Sequence, residues 1–388
     1  MINSSLHVCL SFLHTSMKLI FAFFHWVNHF FSLARNPLYL KSPGLYTSML
    51  TDIIDDLSNK EHGIETCVNK KLNSLSFHLK DVDECFGKGI HNSVYAPFRY
   101  KDDQMVVNYP HSYPILINEP SFCKDPPTVL IVHSSPFDGF AARHVLRSTF
   151  GSIESVDNVT IKSIFIVGTN KNSTLLEAIK QESSLTHDII VYDFQDSFLN
   201  ITLGTMLAME WTLQFCSKAQ YYIASDTDTW INVPYIVRSV LPSFQDTHGK
   251  QIFAGYQINN GKPIRNPLSR YYISTTVYPN ETFPPYPTGC FYLFSIDALE
   301  QFYQLSKTVK PALYFNDVFL GLINQQAHIP FRNYLYPELF YNRMPYSPKT
   351  FFTNHMASHR YTLGDLLFLW SQFLKSNSFD EHVHLKSL

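Results

Sequence analysis

Two aspartates at the end of an apolar run have the residue type and the spacing that could do chemistry. Asp226 and Asp228 lie in the stretch YYIASDTDTWINV, residues 221–233. Because successive side chains of an extended chain point to opposite faces, residues two apart share a face and these carboxylates project the same way. Two aligned carboxylates favour a bound cation. A solvated turn is the alternative, since Asp81 and Asp83 repeat the spacing without an apolar strand before them.

The elements around these aspartates alternate between short apolar runs and helical patterns. The patterns predict strands at Val129–His133, Ile161–Val167, Asp188–Tyr192 and Tyr221–Ala224, and helices at Ala141–Phe150, Thr174–Glu182 and Leu203–Cys216. Such alternation predicts a largely parallel α/β sheet covered by helices. Ligands of open sheets bind outside the carboxyl ends of the strands, which is where the two aspartates fall. A hard divalent cation that bridges to the diphosphate of a nucleotide-sugar suits this edge.

Composition excludes one class of partner. The chain has 388 residues and a formal net charge of -2, and 45% of its residues are hydrophobic. Affinity for nucleic acid is built from clustered Lys and Arg, and the sequence has no basic tract, so a nucleic-acid binder held by bulk electrostatics is excluded. The charged fraction of 16% and the aromatic fraction of 15% are typical of a globular protein.

The N-terminal region contains an apolar run, Leu19–Ala34, that should not be counted as core. It is slightly shorter than the roughly 20 residues that span a bilayer, and it is preceded by Lys18. We interpret residues 1–35 as a cytoplasmic tail and a signal-anchor, with an amphipathic or buried helix as the alternative. Either Met1 or Met17 is the start of the protein, and Met17 would give a short basic region before the run.

Four sequons downstream of the apolar run indicate passage through the secretory pathway. Each has the form Asn-x-Ser/Thr without proline at x, the acceptor pattern for N-glycosylation. The four glycosylation sites predicted from them are Asn158, Asn172, Asn200 and Asn280.

The cysteines agree with an oxidising compartment. Beyond Cys9 there are five, widely spaced and without the CxxC spacing of a zinc site. In an oxidising lumen we expect two disulfides and one free thiol, and Cys67 with Cys85 would form a local loop. Buried, reduced cysteines are the alternative, and the pairing is left open by the sequence.

The organisation of the chain changes near residue 127. Residues 36–127 contain scattered prolines in polar stretches with little periodicity, which favours a stem or N-terminal extension. Residues 128–372 contain the alternating pattern and are expected to form the catalytic domain. Residues 373–388 are expected to form a C-terminal tail.

Six blocks in the right order show a resemblance to a known family. They resemble the β-1,3-glycosyltransferases of the galactosyltransferase family (glycosyltransferase 31), over about residues 128–371. The blocks are SSPFDGFAARHVLRSTFG, DIIVYDFQDSFLNITLGTMLAMEW, SDTDTWIN, YPNETFPPYPTGCFYLFS, YFNDVFLG and SHRYTLGDLLFLW. The resemblance implies the GT-A fold, in which a Rossmann-like domain with a mixed, largely parallel sheet binds a nucleotide-sugar.

The resemblance also implies catalytic roles. Asp228 and His359 would ligate Mn²⁺, with Asp226 nearer the ribose or a metal-bound water, and the metal would neutralise charge on the departing UDP. Asp317 would be the general base for an acceptor hydroxyl in a single inverting displacement. Taken alone, Asp317 could instead cap a helix beginning near Val318, and His359 could be a surface or core histidine.

Binding roles follow from the same resemblance. Arg143 and Arg147 would contact the nucleotide end of the donor, although two arginines four apart on a helix are often only solvated. The pocket for donor and acceptor would be walled by four residues, namely Tyr286, Gly289, Trp230 and Asn316.

The chain departs from the family pattern at several positions. Thr227 replaces the middle aspartate of the metal motif, and Asn316 replaces the glutamate before Asp317. Gly204 stands where lysine is usual, and Phe291 replaces a glycine of the pocket loop. These departures bear on the identity of the donor and on activity.

The sequence therefore predicts a Golgi enzyme, a single-pass type II membrane protein with a lumenal catalytic domain. It would transfer galactose or N-acetylglucosamine from a UDP-sugar in β-1,3 linkage to a glycan on a glycoprotein or glycolipid, with Mn²⁺ as cofactor and with a homo- or hetero-oligomer as a possible assembly. The main alternative is an inactive lumenal homologue that binds glycan or a partner transferase. A cytosolic nucleotide-binding protein is disfavoured by the sequons and the apolar run.

Overall fold

The structure, a computed structural model, describes residues 101–247, 251–267, 269–348 and 350–386. The predicted anchor within residues 1–35, most of the predicted stem and the Cys67–Cys85 pair lie outside the described residues. Among the helices of the described ranges, none combines the length and the apolar character needed to span a membrane.

The described chain alternates strands with helices. The strands are β1 Ile115–Ile117, β2 Val129–Ser134, β3 Ile153–Val156, β4 Val159–Thr169, β5 Ile189–Gln195, β6 Tyr221–Asp226, β7 Trp230–Ile231, β8 Phe253–Ile258, β9 Tyr286–Ser295, β10 Phe331–Asn333, β11 Leu339–Phe340, β12 Ala357–Ser358 and β13 Val383–Leu385. The helices are α1 Phe140–Arg147, α2 Ser173–Thr186, α3 Ile201–Phe215, α4 Val233–Tyr235, α5 Ile296–Ser306, α6 Asn316–Ala327 and α7 Leu363–Phe373. Each element that the sequence predicts is observed, with its ends moved by a few residues.

A mixed sheet of ten strands forms the centre of the molecule. Its main path runs β1-β5-β4-β2-β6-β9-β8-β10, and β3 joins β13 to the edge of β4. The strands β5, β4, β2 and β6 are parallel, whereas β9 is antiparallel to both β6 and β8. The observed sheet is thus the helix-covered, largely parallel α/β sheet that the sequence predicts.

The sheet is buried on both faces, which explains the continuous apolar runs of its central strands. In β2, Leu130 and Val132 belong to one core cluster, whereas Val129 and Ile131 belong to the other. Helices α3, α5 and α6 supply apolar residues to the first cluster, and α1 and α7 supply them to the second. The carboxyl ends of β2 and β6 therefore open between two packed layers.

A second, small sheet lies beside the main one. It has the order β11-β12-β7, with β12 parallel to β11 and antiparallel to β7. Because β7 follows β6 after a short turn, this small sheet brings late segments of the chain to the carboxyl end of β6.

The packed fold extends beyond both boundaries that the sequence places at residues 128 and 372. Upstream, β1 adds an antiparallel strand to β5, and a disulfide joins Cys123 to Cys216 at the end of α3. Downstream, β13 pairs with β3. These segments are too short to show periodicity, but their backbone hydrogen bonds and the covalent bond fix them to the domain, which corrects the predicted limits. The compact unit begins at Pro97.

Candidate functional site

Three potential metal ligands meet at the carboxyl end of β6. Asp226 ends this strand and Asp228 follows in the turn before β7, and both carboxylates are roughly half exposed. The Nε2 atom of His359 lies 2.9 Å from a carboxylate oxygen of Asp228 and 3.6 Å from one of Asp226. One ligand atom from each of the three residues lies within 4.8 Å of the others. The structure thus brings together residues that are far apart in sequence.

Strand pairing in the small sheet places the histidine. Ala357 and Ser358 of β12 pair with Ile231 and Trp230 of β7. His359 comes directly after this pairing, opposite the turn that contains Asp228. The site therefore depends on a two-residue strand at each side of it.

A left-handed turn then fixes the backbone after His359. Arg360 has φ 69°, in the region that L-residues seldom occupy. The turn directs the N–H of Tyr361 to the carbonyl oxygen of Asp228 at 3.0 Å, while the N–H of His359 donates to the carbonyl of Asn342 at 3.3 Å. Backbone contacts on both sides therefore hold the imidazole beside the carboxylates.

The proximity of these groups shifts their protonation. Desolvation, opposed by the nearby His359 and helped by the charges of Asp228 and Asp317, raises the pKa of Asp226 to about 6. Burial alone would lower the pKa of His359, but its hydrogen bond to Asp228 and the charges of both aspartates raise it overall. A cluster of two carboxylates that shares an imidazole proton is a site where a divalent cation can replace that proton.

The donor set fits a divalent cation of the Mn²⁺ type. Two carboxylate oxygens and one imidazole nitrogen are ligands that suit hard and borderline first-row ions, and they leave further positions for oxygens of a bound ligand. The partial exposure of Asp226 and Asp228 provides access for such a ligand.

Asp317 lies in the first turn of α6, where it makes a backbone contact and is only partly exposed. Its Oδ1 atom accepts a hydrogen bond from the N–H of Val318 at 2.7 Å. Burial raises the pKa of Asp317 to about 6, and its backbone hydrogen bonds only partly offset that rise. The helix begins at Asn316 rather than near Val318. Because Phe315 occupies the N-cap position, Asp317 lies within the first turn and does not cap the helix, and its role as a base stays a prediction.

A polar cleft leads from Asp226 toward α3. It measures about 330 Å³ and is lined in part by Ser134, Gly204 and Gly289. Asn316 also lines it and donates from Nδ2 to the hydroxyl of Thr205 at 3.1 Å. Where lysine is usual in the family pattern, Gly204 packs against Phe194, and an added Cβ would lie 3.3 Å from the ring of Phe194.

Close packing at Gly289 connects this cleft to the first turn of α6. A Cβ added at Gly289 would lie 3.1 Å from Oδ1 of Asn316 and 3.7 Å from Cβ of Asp317. The strand β9 therefore runs directly against the segment that carries the candidate base.

A larger cleft, which we call the aromatic cleft, lies on the other side of Asn316. It measures about 750 Å³, and its lining residues are Phe198, Ile201, Lys262, Ile264, Tyr271, Phe283, Tyr286, Tyr314, Phe315, Asn316, Asp317 and Val318. Asp317 is its one carboxylate among the described lining residues. Asn316 lines both clefts, so the candidate base and the candidate metal ligands face a continuous region.

The predicted contact of Arg143 with the nucleotide is wrong for the geometry observed, and that of Arg147 stays a prediction. Arg143 has no exposed side-chain surface, and it binds Glu182 through Nε and Nη2 at distances of 2.6–3.1 Å. Arg147 binds Glu182 and Asp188, each at 2.7 Å. The two arginines do share a helix face, but the acids they meet come from α2 and the residues after it, which helical spacing cannot reveal.

The predicted pocket role of Trp230 is also wrong. Its side chain is 1% exposed and lies among aromatic rings of the core, with ring centres of Phe150 and Phe352 at 5.7 and 5.8 Å. Phe291, expected to reshape the sugar site, is likewise 1% exposed in the same core cluster. Tyr286 and Gly289, by contrast, line the clefts.

The sequons differ in the environment of the acceptor nitrogen. Asn158, Asn172 and Asn280 are exposed. Asn200 is only partly exposed, and its Nδ2 donates to the carbonyl of Gln195 at 2.8 Å. The first three therefore present an accessible amide.

Several residues of the clefts were not identified from the sequence. Phe198, Lys262 and Tyr271 line the aromatic cleft. Lys262 and Tyr271 lie outside the six blocks, and Phe198 lies in the second block without an assigned role. What these three residues share in the sequence is an aromatic or cationic side chain next to a turn. Many surface residues have the same feature, so it does not identify a site. Only the chain topology brings them to Asp317.

Comparison with known proteins agrees with the site. The sequence profile described as Galactosyltransferase matches residues 141–334, half of the chain. Beta-1,3-galactosyltransferase 1 of Mus musculus is 38% identical over 227 residues, which cover 58% of this chain and 68% of that protein. Beta-1,3-galactosyltransferase 5 of Homo sapiens is 34% identical over 204 residues, covering 53% of this chain and 64% of that protein.

Among solved structures, a glycosyltransferase involved in the glycosylation of the major capsid of PBCV-1 aligns with 63% of this chain and 99% of its own. Its TM-score of 0.31 and its identity of 11% are too low to support an argument. The sequence matches carry the assignment, and they include the aspartates of the metal cluster and Asp317 within the matched residues. The chain belongs to the galactosyltransferase family, and it is a glycosyltransferase.

Proposed function

We propose that this protein is a Mn²⁺-dependent β-1,3-galactosyltransferase that uses a UDP-sugar donor and inverts the anomeric centre. The observation that carries the proposal is the placement of the cluster Asp226, Asp228 and His359 at one cleft and of Asp317 at an adjoining one. The relatives named as β-1,3-galactosyltransferases support galactose over the N-acetylglucosamine that the sequence left open.

The donor side of the reaction belongs to the metal cluster. Asp226, Asp228 and His359 would hold Mn²⁺, which when bound supplies positive charge that stabilises the leaving diphosphate. The partial exposure of the two carboxylates leaves room for a diphosphate at the carboxyl end of β6. The cleft that begins at Asp226 adjoins this diphosphate position.

The acceptor side belongs to Asp317. Its carboxylate would take the proton of the acceptor hydroxyl while that oxygen forms a bond to the anomeric carbon and the bond from that carbon to the diphosphate oxygen breaks. A single displacement of this kind inverts an α-linked donor to a β-glycoside without a covalent enzyme intermediate. A pKa of about 6 leaves Asp317 ionised at neutral pH and makes it a stronger base than an ordinary aspartate.

The aromatic cleft would orient the acceptor. Aromatic faces pack against the apolar faces of sugar rings and exclude water from the reacting atoms. Tyr286 and Tyr271 are two of the rings available for this contact. The inner end of the cleft is where Asp317 would meet the hydroxyl.

We place the enzyme in the Golgi as a single-pass type II membrane protein with its catalytic domain in the lumen. The apolar run Leu19–Ala34 supports an anchor. The exposed sequons at Asn158, Asn172 and Asn280 support lumenal exposure, and so does the disulfide between Cys123 and Cys216. Enzymatic removal of N-glycans from the protein made in its native host tests this placement, since a protein outside the lumen carries none.

The test of activity is UDP release by the full-length protein with UDP-galactose, UDP-N-acetylglucosamine and UDP-N-acetylgalactosamine over a panel of acceptor glycans, with and without Mn²⁺. Turnover with UDP-galactose that needs the metal is the expected result. Asp228→Ala and Asp317→Asn should abolish it. Metal-dependent binding of UDP with no transfer to any acceptor would instead favour a glycan-binding or partner-binding homologue.

A further inference from the structure

Two cations border the aromatic cleft, and neither has a carboxylate partner among the residues that the structure describes. Lys262 is exposed and lines the cleft. Arg270 is also exposed, and its guanidinium carbon lies 3.9 Å from the ring centre of Phe198 and 5.6 Å from that of Tyr271. Both of those rings line the cleft. The two positive charges therefore lie at the same rim as the aromatic walls.

These charges are not neutralised within the described part of the chain. Among residues 101–247, 251–267, 269–348 and 350–386, neither Lys262 nor Arg270 forms an ion pair, whereas the arginines 143, 147, 238 and 343 all do. The described lining of the cleft contains a single acid, Asp317, which the reaction employs. A protein of net charge -2 thus presents excess positive charge at this cleft.

The stacking of Arg270 leaves its hydrogen-bonding edge available. A guanidinium that stacks on a ring keeps its N–H groups in the plane of the group, where they match a carboxylate or a sulfate in a bidentate arrangement. Lys262 adds a mobile point charge on the same cleft. Ring and cation together suit a sugar that carries an anionic substituent.

From this arrangement we infer that the acceptor is a glycan with a negatively charged substituent, either a sulfate ester or a sugar carboxylate, which Lys262 and Arg270 bind while the aromatic walls hold the sugar ring. The inference rests on the proposed function, because it assigns the aromatic cleft to the acceptor. It names the class of acceptor, which neither the relatives' names nor the metal cluster specifies.

The charge of Asp317 limits where the substituent can lie. An anion beside a carboxylate base would be repelled, and it would raise the pKa of that base. The substituent therefore belongs at the cationic rim, on a ring position or a neighbouring sugar other than the one that carries the accepting hydroxyl.

The test is a binding measurement on the full-length protein, so that it does not depend on transfer. Lactose, its 6′-sulfate and its 6′-carboxylate counterpart are titrated by saturation-transfer NMR at low ionic strength. We expect at least one anionic sugar to bind about tenfold more tightly than lactose, the effect of one charge-assisted contact. Added salt should reduce the difference in affinity between the anionic sugars and lactose, because it screens the charges.

Matched variants show whether the two cations cause the preference. In the double variant Lys262→Gln with Arg270→Gln, the affinities for the anionic sugars and for lactose should become nearly equal. Arg270→Lys keeps the charge and should retain part of the preference for the anionic sugars. Lys180→Gln is the control, because Lys180 is an exposed lysine on α2 paired only with Glu177. A thermal melt of each variant verifies folding, and Lys262→Gln alone serves if the double variant is unstable.

Each outcome decides the inference. Tighter binding of both the sulfated and the carboxylated sugar, lost in the double variant, supports recognition of a negative charge by Lys262 and Arg270. Tighter binding of only one of the two sugars identifies the substituent as the sulfate or the carboxylate. Equal binding of the three sugars by the unmodified protein, or a preference that survives in the double variant, overturns it. Transfer is measured in parallel, since intact anion preference without any sugar transfer would contradict the proposed function and reduce this inference to a binding site for anionic sugars.

Discussion

At the scale of single residues, Asp317 combines a helix contact with the position expected of a general base. It accepts the N–H of Val318 and also lines the aromatic cleft. Asp297 makes the equivalent contact to Ala298 at 2.9 Å in the first turn of α5, but it lies on the exposed surface. Comparison of Asp317 with Asp297 therefore separates the effect of the backbone contact from that of the proposed proton transfer.

We predict that Asp317→Asn lowers the rate of transfer by a factor of about 10² to 10⁴, the usual contribution of a general base. Asp297→Asn should change it less than about twofold. Steady-state kinetics with saturating Mn²⁺ and donor measures both. Similar losses in the two variants would show that the helix contact, and not proton transfer, accounts for the effect.

The raised pKa of Asp317 predicts a pH dependence. Below a pH of about 6 the carboxyl is protonated and cannot act as a base, so the rate at saturating Mn²⁺ should fall about tenfold per pH unit on that side.

The contribution of Asp317 to the free energy of unfolding depends on pH with the opposite sign. Because the folded-state pKa lies above the ordinary value of 3.8, the folded state holds this proton more tightly, and stability is lost as pH rises through the window from about 4 to 6. Thermal melts should therefore show Asp317→Asn at least as stable as the unmodified protein at pH 7, and a clearly lower melting temperature would contradict the assigned shift.

The metal cluster gives a second residue-scale prediction. His359→Ala removes one of three ligands and should weaken Mn²⁺ binding by more than about 100-fold, since even outer contacts of metal ligands contribute about 10- to 100-fold. His382→Ala, at an exposed histidine near Glu381, is the control. Isothermal titration calorimetry with Mn²⁺ measures the two variants. Unchanged affinity in His359→Ala would remove this residue from the site.

The site residues differ in how far the sequence could identify them. The spacing of Asp226 and Asp228 after an apolar strand follows from the alternation of side chains, so it is visible in the local sequence. His359 is different, because two-residue strands bring it to the aspartates and such strands have no periodicity. Its assignment came from the resemblance to the family. Arg143 was misassigned because its partner Glu182 lies on another helix.

At the scale of elements, the close approach of α6 to the start of β9 positions both Asp317 and the aromatic cleft. A Cβ added at Gly321 would lie 2.7 Å from Cβ of Tyr286 and 2.8 Å from the carbonyl oxygen of Pro285. The helix can lie this close only because residue 321 has no side chain. The packing of α6 on β9 is thus part of the site.

We predict that Gly321→Ala destabilises the fold by about 1–3 kcal/mol, the usual cost of overpacking, and also lowers activity by displacing the first turns of α6. Gly364→Ala is the matched control within α7. Its added Cβ would meet only the hydroxyl of Thr362, at 3.9 Å, so better helix propensity should stabilise the protein by up to about 1 kcal/mol. Chemical denaturation measures both. A stabilising effect of Gly321→Ala would show that the helix can move away without loss.

The elements themselves were well predicted where they are long and buried on both sides. The runs of β2, β4 and β6 and the helical patterns of α2 and α3 are observed with small shifts at their ends. The order of the strands could not be predicted from the sequence, since β9 lies antiparallel between β6 and β8 after a long connection. Hydrophobic pattern fixes which faces are buried, but it does not specify which strands become neighbours.

At the scale of the whole molecule, one covalent bond joins a segment upstream of β2 to the end of α3. Cys123 and Cys216 are separated by 93 residues. Between them lie β2, β4, β5 and the helices α1, α2 and α3. The loop therefore encloses most of the parallel part of the sheet.

We predict that Cys123→Ser combined with Cys216→Ser lowers the free energy of unfolding by about 2–5 kcal/mol, because the unfolded chain loses a long constraint. Cys290→Ser at the buried free thiol is a control for the loss of a cysteine. Denaturant titration measures the difference. The double variant should keep its metal affinity at low denaturant, since the disulfide does not contact the metal cluster. A loss of metal affinity would mean that the disulfide organises the site as well.

The small sheet has a consequence for biosynthesis. Asp226 and Asp228 are translated long before His359, and the strand that delivers the histidine pairs with β7 only after the intervening chain has left the ribosome. Until then the aspartates form an incomplete pair of carboxylates. Under the proposed function, cation capture is therefore a late event in the maturation of each molecule, and a compartment that supplies manganese would selectively stabilise chains that have finished folding.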